Sequence, residues 1–296
     1  METSEKKPIR PEAVLGIIAL GCAALLLIVI LISRPYFRQD EDPEHIKHQQ
    51  SAAQTEAPED PTMPTVPPPE KNPHGKLDFQ YDGRYLSALR CDSMPGIDVS
   101  AYQGKINWKK VADSGIRFAI IRLGYRGYGT GALVEDQYAR ANLEGAAQAG
   151  LEVGAYFFSQ ALTKEEVHEE IDFMLEILGD TELSMPVVFD WEYISAEART
   201  ANMDARTLTD LNLEFCQRMT EEGYQPMIYF NPTQGRKMMF LYELEEYPFW
   251  LAYYTDRMTY PYRFEMWQYT CTGRVPGIAG DVDINLLLLD QKLRPQ

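Results

Sequence analysis

The sequence predicts an α/β protein whose folded part is a closed barrel of eight strands. Three observations predict it. Strand-like and helix-like stretches alternate from Met94 onward, eight stretches read as strands, and helices follow only the first five. Alternation of this kind implies a mainly parallel sheet, and eight strands suggest closure, with a site at the carboxyl ends of the strands. About 200 residues is short for such a barrel, and the absent late helices account for the difference.

The elements follow in order. Gly96–Ser100 is a short apolar strand, and Asn107 can cap a helix running through Ala112 to a stop at Gly115. Arg117–Leu123 reads as a buried strand, Leu133–Ala149 as a helix stopped by Gly150, and Glu152–Ser159 as the third strand. Thr163 and Glu166 have capping-box spacing and open a helix that ends at Leu178 before Gly179. Pro186–Trp191 is a strand, Thr207–Glu222 a helix ending at Gly223, Pro226–Phe230 a strand and Thr233–Leu241 a short helix. Phe249–Tyr253, Phe264–Tyr269 and Val282–Ile284 complete the strands.

The 93 residues before this region have a different character. Residues 1–12 read as a cytoplasmic tail, and Ala13–Ile32 is a run of 20 residues without a charge. At 1.5 Å per residue it covers ~30 Å, one bilayer core. It exceeds a signal-peptide h-region and no A-x-A-like site follows, so it is read as an uncleaved single-pass anchor. Lys6, Lys7 and Arg10 precede it and acidic residues follow, which places the amino terminus in the cytoplasm and the rest outside the cell membrane. Residues 33–93 read as a disordered, acidic, proline-rich stalk: seven of the 16 residues from Pro58 to Pro73 are proline. As a coil it averages ~40–47 Å end to end. Residues 94–290 form the folded domain and 291–296 a short tail.

Composition narrows the function. The net charge of −16 argues against nucleic acid, which needs a basic face. No CxxC, HExxH or Walker-type loop occurs, so no metal or cofactor is expected, and the glycines at 124, 127, 129 and 131 lack phosphate-loop spacing. Cys91, Cys216 and Cys271 show no sign of a pair, and any disulfide among them is left open. The acidic residues at predicted strand ends carry the chemistry. Asp98 lies in the first strand, Asp190 and Glu192 end the fourth in VVFDWEY, and Asp283 lies in the last. Residues two apart in a strand share a face, so Asp190 and Glu192 point one way and Trp191 the other. Two such carboxyls, one protonated and one ionised, are what glycosidic cleavage requires. A bland alternative is a structural ion pair with Arg117, Arg122 or a lysine.

The segments GIDVSAYQGKINW, RLGYRGYGTG, VGAYFFSQA, PVVFDWEY, FWLAYY, MWQYT and GDVDIN occur in that order. Together they resemble the glycoside hydrolase family 25 lysozymes, the Chalaropsis-type N-acetylmuramidases, over Met94 to Asp290. The resemblance implies a TIM-like (β/α)5(β)3 barrel and hydrolysis of the β-1,4 bond between N-acetylmuramic acid and N-acetylglucosamine in peptidoglycan. It implies Glu192 as general acid/base and Asp190 as the carboxylate that polarises the substrate acetamido group or acts as nucleophile. It implies Asp98 and Asp283 as the other active-site aspartates, with Asp281 near enough to compete with Asp283.

Aromatics near the strand ends suit the C–H face of a sugar, and Tyr125, Tyr156, Tyr229, Trp250 and Gln268 are the expected subsite residues. A chitinase-like hydrolase is disfavoured because Val188 and Met185 stand where its longer acidic run would need acids. A catalytically dead wall-binding module would be expected to lack one of the four acids. A membrane-anchored docking regulator is the remaining rival. The expected partners are glycan strands and the lipid bilayer through residues 13–32, with a monomeric catalytic domain.

Overall fold

The computed structural model of the chain describes residues 67–289. The expected cytoplasmic tail, the span at 13–32, most of the stalk and the tail at 291–296 lie outside the described residues. Among the described residues no helix is long and apolar enough to cross a membrane.

Eleven strands and five α-helices are present in this region. The strands are β1 (Phe79–Asp82), β2 (Tyr85–Ala88), β3 (Ser93–Val99), β4 (Phe118–Arg126), β5 (Leu133–Glu135), β6 (Glu152–Ser159), β7 (Val187–Trp191), β8 (Pro226–Phe230), β9 (Phe249–Ala252), β10 (Met266–Gly273) and β11 (Val282–Leu288). The helices are α1 (Trp108–Asp113), α2 (Ala139–Gln148), α3 (Lys164–Leu178), α4 (Ala205–Glu221) and α5 (Pro232–Lys237).

Eight strands close on themselves in the order β3-β11-β10-β9-β8-β7-β6-β4, and β4 pairs back onto β3. All pairs are parallel except the two that β11 makes with β10 and β3. A helix follows each of β3, β4, β6, β7 and β8, and none follows the rest. This is the eight-strand barrel with five helices that the alternation predicts.

Period-2 alternation divides the apolar residues into two populations. Phe118, Ile120, Tyr156, Val188, Met227, Tyr229, Trp250, Met266 and Leu287 form one cluster that fills the barrel. Ile97, Ala119, Ile121, Phe157, Phe189, Ile228 and Leu251 alternate with them and pack outward with Val111, Leu143, Ile171 and Phe215 of the helices. Gly96 is required beside its register partner Phe118, since a Cβ there would stand 2.3 Å from the Phe118 ring.

Three expectations are corrected. The stalk was expected to extend to residue 93, but β1 and β2 form an antiparallel hairpin within it. Its two-residue turn, Gly83-Arg84, has Gly83 at φ 66°, which suits a turn with glycine first. The hairpin folds because the barrel offers it a partner. With no helix after β10, the outward face of that strand presents Trp267 and Tyr269. Phe79 packs edge-on against Trp267 at 5.1 Å, Tyr81 meets Tyr269 at 6.5 Å, and Tyr85 Oη bonds Ser114 Oγ at 2.9 Å. The second correction is at Leu133–Ala149, expected as one helix. Leu133–Glu135 instead pairs antiparallel with Gly124–Arg126, and α2 begins at Ala139. The third is small: the helix expected at Thr233–Leu241 stops at Lys237, and a 3-10 turn takes Leu241–Glu243.

Helix ends obey local chemistry. Asn107 and Asp204 accept from the backbone N–H three residues on. Thr163 accepts from Glu166 N, but the Glu166 carboxylate reaches Leu162 N rather than the cap's own N–H.

Candidate active site

Asp98 and Asp283 are direct partners in the antiparallel β3–β11 pair, so their side chains share a face. Both are buried. Asp98 Oδ2 accepts from Gln268 Nε2 at 2.8 Å and from Asn285 Nδ2 at 2.7 Å. Asn285 Oδ1 in turn accepts from Trp250 Nε1 at 2.9 Å, and Gln268 Oε1 from the hydroxyls of Tyr229 at 3.1 Å and Tyr254 at 3.0 Å. An indole N–H can only donate, which forces the Asn285 amide to turn its NH2 to Asp98. Oδ2 of Asp98 therefore presents lone pairs to two donors and carries no proton.

Asp190 sits on β7 between Phe158 of β6 and Tyr229 of β8. Its neighbour Trp191 belongs to the outer core, and Asp190 faces the interior with Val188. Glu192 follows the last residue of β7 and is buried. Two amide side chains hold the backbone there: Gln160 Nε2 donates to the Glu192 carbonyl at 2.9 Å, and Gln234 Nε2 to the Trp191 carbonyl at 2.6 Å.

Asp281 has a different environment from Asp283. Its side chain is 41% exposed and bonds Arg274 at 2.9 Å, while its carbonyl accepts from Gln103 Nε2. Asp283, two residues on, is the one on the barrel face with Asp98.

Arg122, considered above as a cation for the acidic pair, makes a fully buried ion pair with Asp136 at 2.8 Å. Asp136 Oδ2 also accepts from Ala101 N at 2.7 Å, which ties the segment after Asp98 to the start of α2. Burial pushes the Asp136 carboxyl above the ordinary range, and Arg122 opposes that shift.

Of the expected subsite residues, Tyr156, Tyr229, Trp250 and Gln268 are fully buried and form the floor beneath the carboxylates. Tyr229 and Tyr156 both meet the Trp250 ring edge-on, at 4.9 and 6.4 Å. Tyr125 is half-buried at the upper end of β4, with the Arg122 guanidinium 5.4 Å from its ring centre. The open rim carries Tyr102 and Tyr193, which are 47% and 49% exposed and stand next to the segments of Asp98 and Glu192.

Asn285, Gln160, Gln234 and the Arg122–Asp136 pair are missing from the sequence-based set. Gln234 had a readable signal, since Asn231-Pro-Thr-Gln234 is a capping-box pattern, but the box gives no hint that its other amide end reaches Trp191. Among the described residues no group of three or more His, Cys, Asp or Glu side chains is arranged to hold a metal ion.

The chain is similar in sequence and fold to known proteins. Residues 97–278 match the family model described as "Glycosyl hydrolases family 25". Lysozyme M1 of Streptomyces globisporus is 29% identical over 217 residues, covering 69% of this chain and 71% of that protein. The modular autolysin LytC of Streptococcus pneumoniae, solved with a synthetic peptidoglycan ligand, is similar with 27% identity and a TM-score of 0.56. The match covers 66% of this chain and 46% of LytC, so the chain spans about half of that autolysin's length. A bacterial lysozyme structure from Streptomyces coelicolor is 25% identical with a TM-score of 0.54, covering 68% of this chain and 94% of that one.

Proposed function

We propose that this chain, which belongs to glycosyl hydrolases family 25, is a muramidase cleaving the β-1,4 bond between N-acetylmuramic acid and N-acetylglucosamine in peptidoglycan. The observation that carries the reading is the set of four buried carboxyls of a family 25 domain: Asp98, Asp190 and Glu192 at the carboxyl ends of their strands, and Asp283 at the amino end of the antiparallel β11, directly opposite Asp98. The likeness to Lysozyme M1 and to LytC with its peptidoglycan ligand supports the substrate class.

In this reading Glu192 gives its proton to the glycosidic oxygen as the bond to C1 breaks. Positive charge develops at C1. Asp190 answers it, either by attaching to C1 or by polarising the neighbouring acetamido oxygen toward C1. The Glu192 carboxylate then takes a proton from a water that attacks C1, and the enzyme returns to its starting state. Asp98, held by two amides, and Asp283 beside it form a carboxyl-lined wall facing the developing charge. The floor of Tyr156, Tyr229, Trp250 and Gln268 shapes the site, and Tyr125 is a candidate for direct contact with the sugar.

Residues 13–32 would anchor the chain in the cell membrane with the barrel outside. A −16 chain is repelled by anionic wall polymers, and a tether replaces binding affinity by local concentration. The barrel is taken as a monomer acting in turnover of the cell's own wall.

The test is digestion of purified peptidoglycan with the full chain in detergent. New reducing ends of N-acetylmuramic acid are expected; reducing ends of N-acetylglucosamine would refute the bond assignment. Release of the native chain from membranes by high salt alone would refute the anchor.

A further inference from the structure

We propose that Gln160 and Gln234 act as a pair of positioning residues that clamp the backbone carrying the Glu192 carboxyl, and so govern turnover rather than substrate binding. The proposal rests on the reading of Glu192 as proton donor.

The ladder around β7 runs out where the chemistry begins. On one side its last partner pair is Trp191 with Ser159, and on the other it is Asp190 with Tyr229. The carbonyls of Trp191 and Glu192 lie at this edge, where side-chain amides take over from backbone N–H groups. Gln234 reaches the Trp191 carbonyl from the β8 side, and Gln160 reaches the Glu192 carbonyl from the β6 side. Successive peptide groups are thus held from opposite flanks.

Both amides are locked in turn, and their orientation is forced by chemistry. Gln234 Oε1 accepts from Asn231 N at 2.8 Å, a group that can only donate, so its NH2 must face Trp191. Gln160 Nε2 faces two carbonyls, those of Glu192 at 2.9 Å and Ser159 at 3.0 Å, which can only accept. Its Oε1 accepts from Thr200 Oγ1 at 2.6 Å, and its own carbonyl accepts from Arg199 at 3.1 Å. Both side chains are buried, so water is a poor substitute for either bond. A fixed Cα leaves the Glu192 carboxyl only its own side-chain torsions. A donor displaced by about 1 Å costs on the order of 100-fold in rate.

The experiment compares full-length Gln160→Met and Gln234→Met with the unsubstituted chain, by kcat and KM on solubilised peptidoglycan. Each variant is expected to lose kcat by roughly 10-fold to 100-fold with KM little changed. Gln160→Glu and Gln234→Glu keep the shape and give a second readout. Their deficit relative to the unsubstituted chain should shrink as pH falls and the new carboxyl is protonated, because it can then donate as the amide did. Thr209→Val is the control for lost stability, since it removes a buried side-chain bond to Phe240 N away from the site. A Thr209→Val variant with the same loss of melting temperature should keep its kcat.

Unchanged kcat in both methionine variants, or a kcat loss matched by Thr209→Val, would overturn the clamp. So would a glutamate deficit independent of pH. Glu192→Gln run alongside separates the two readings: full activity there refutes the donor assignment, whereas its inactivity with normal Gln160 and Gln234 variants refutes only the clamp.

Discussion

Asp98 and Asp283 stand directly opposite each other in the antiparallel β3–β11 pair, two carboxyls on one face of one ladder. Like charges placed so are destabilising unless something answers them. For Asp98 the answer is the pair of amides from Gln268 and Asn285. Asn285 lies two residues after Asp283, so the strand that brings the second carboxyl also brings a donor for the first.

Asn285→Leu tests that arrangement. It removes one of the two donors to Asp98 and leaves the buried Trp250 N–H without its acceptor. A loss of stability of about 1–3 kcal/mol is expected from the orphaned groups, measured by denaturant unfolding. A fall in kcat/KM of at least tenfold should accompany it.

Glu192→Gln preserves the shape of the side chain and removes its proton. A general acid supplies roughly 10²–10⁴-fold, so turnover on peptidoglycan should drop by that order. The circular dichroism spectrum and melting temperature should stay close to those of the parent chain.

Glu170 makes stability depend on pH. It is buried on α3 beside Arg126 and Ser159, and burial raises its carboxyl from 4.5 to about 7 against the opposing pull of both neighbours. Folding therefore takes up a proton between pH 4.5 and about 7. The contribution is fully present below 4.5 and is lost as pH rises through about 7. Glu170→Gln should flatten the curve of melting temperature against pH across that window. The difference between the two proteins should change by an amount on the order of 3 kcal/mol from end to end; parallel curves would refute the assignment.

Phe79→Ala tests whether the hairpin is part of the fold. Phe79 is buried against Trp267 and lies in the outer core. Truncating a buried phenylalanine costs about 3–5 kcal/mol. Chemical denaturation should show a loss of that order together with increased Trp267 exposure by fluorescence quenching. A change below 1 kcal/mol would mean the hairpin is dispensable.

Much of this protein was legible in its residues. Runs such as RFAIIRL and PVVFDW announce buried strands because parallel strands covered on both faces are apolar throughout. Glycines at 115, 150, 179 and 223 mark helix ends because each adopts a positive φ that other residues avoid. The acids at 98, 190 and 192 stand out at predicted strand ends, and the ordered motifs add Asp283 with Asp281 as its competitor. The glycine-first turn Gly83-Arg84, between Phe79 and Tyr81 on one side and Tyr85 on the other, was also a hairpin signal in its own right. The proline-rich stretch before it masked that signal.

Tertiary structure decided the rest, because the deciding partners are distant in sequence. A local pattern could not assign Leu133–Glu135 to a strand, since its reason to be extended is the free upper edge of β4. The hairpin of β1 and β2 needs the helix-free face of β10, which lies about 180 residues further on. Nor could spacing separate Asp281 from Asp283: an arginine at 274 holds one at the rim, while the register with β3 holds the other against Asp98. The amides at 160, 268 and 285 lie within the ordered motifs and 234 within a capping box, and Gln268 is an expected subsite residue, but no motif says which group each amide holds. Their meaning comes only from barrel closure, which sets each of them within hydrogen-bond reach of a backbone or carboxylate acceptor near the site.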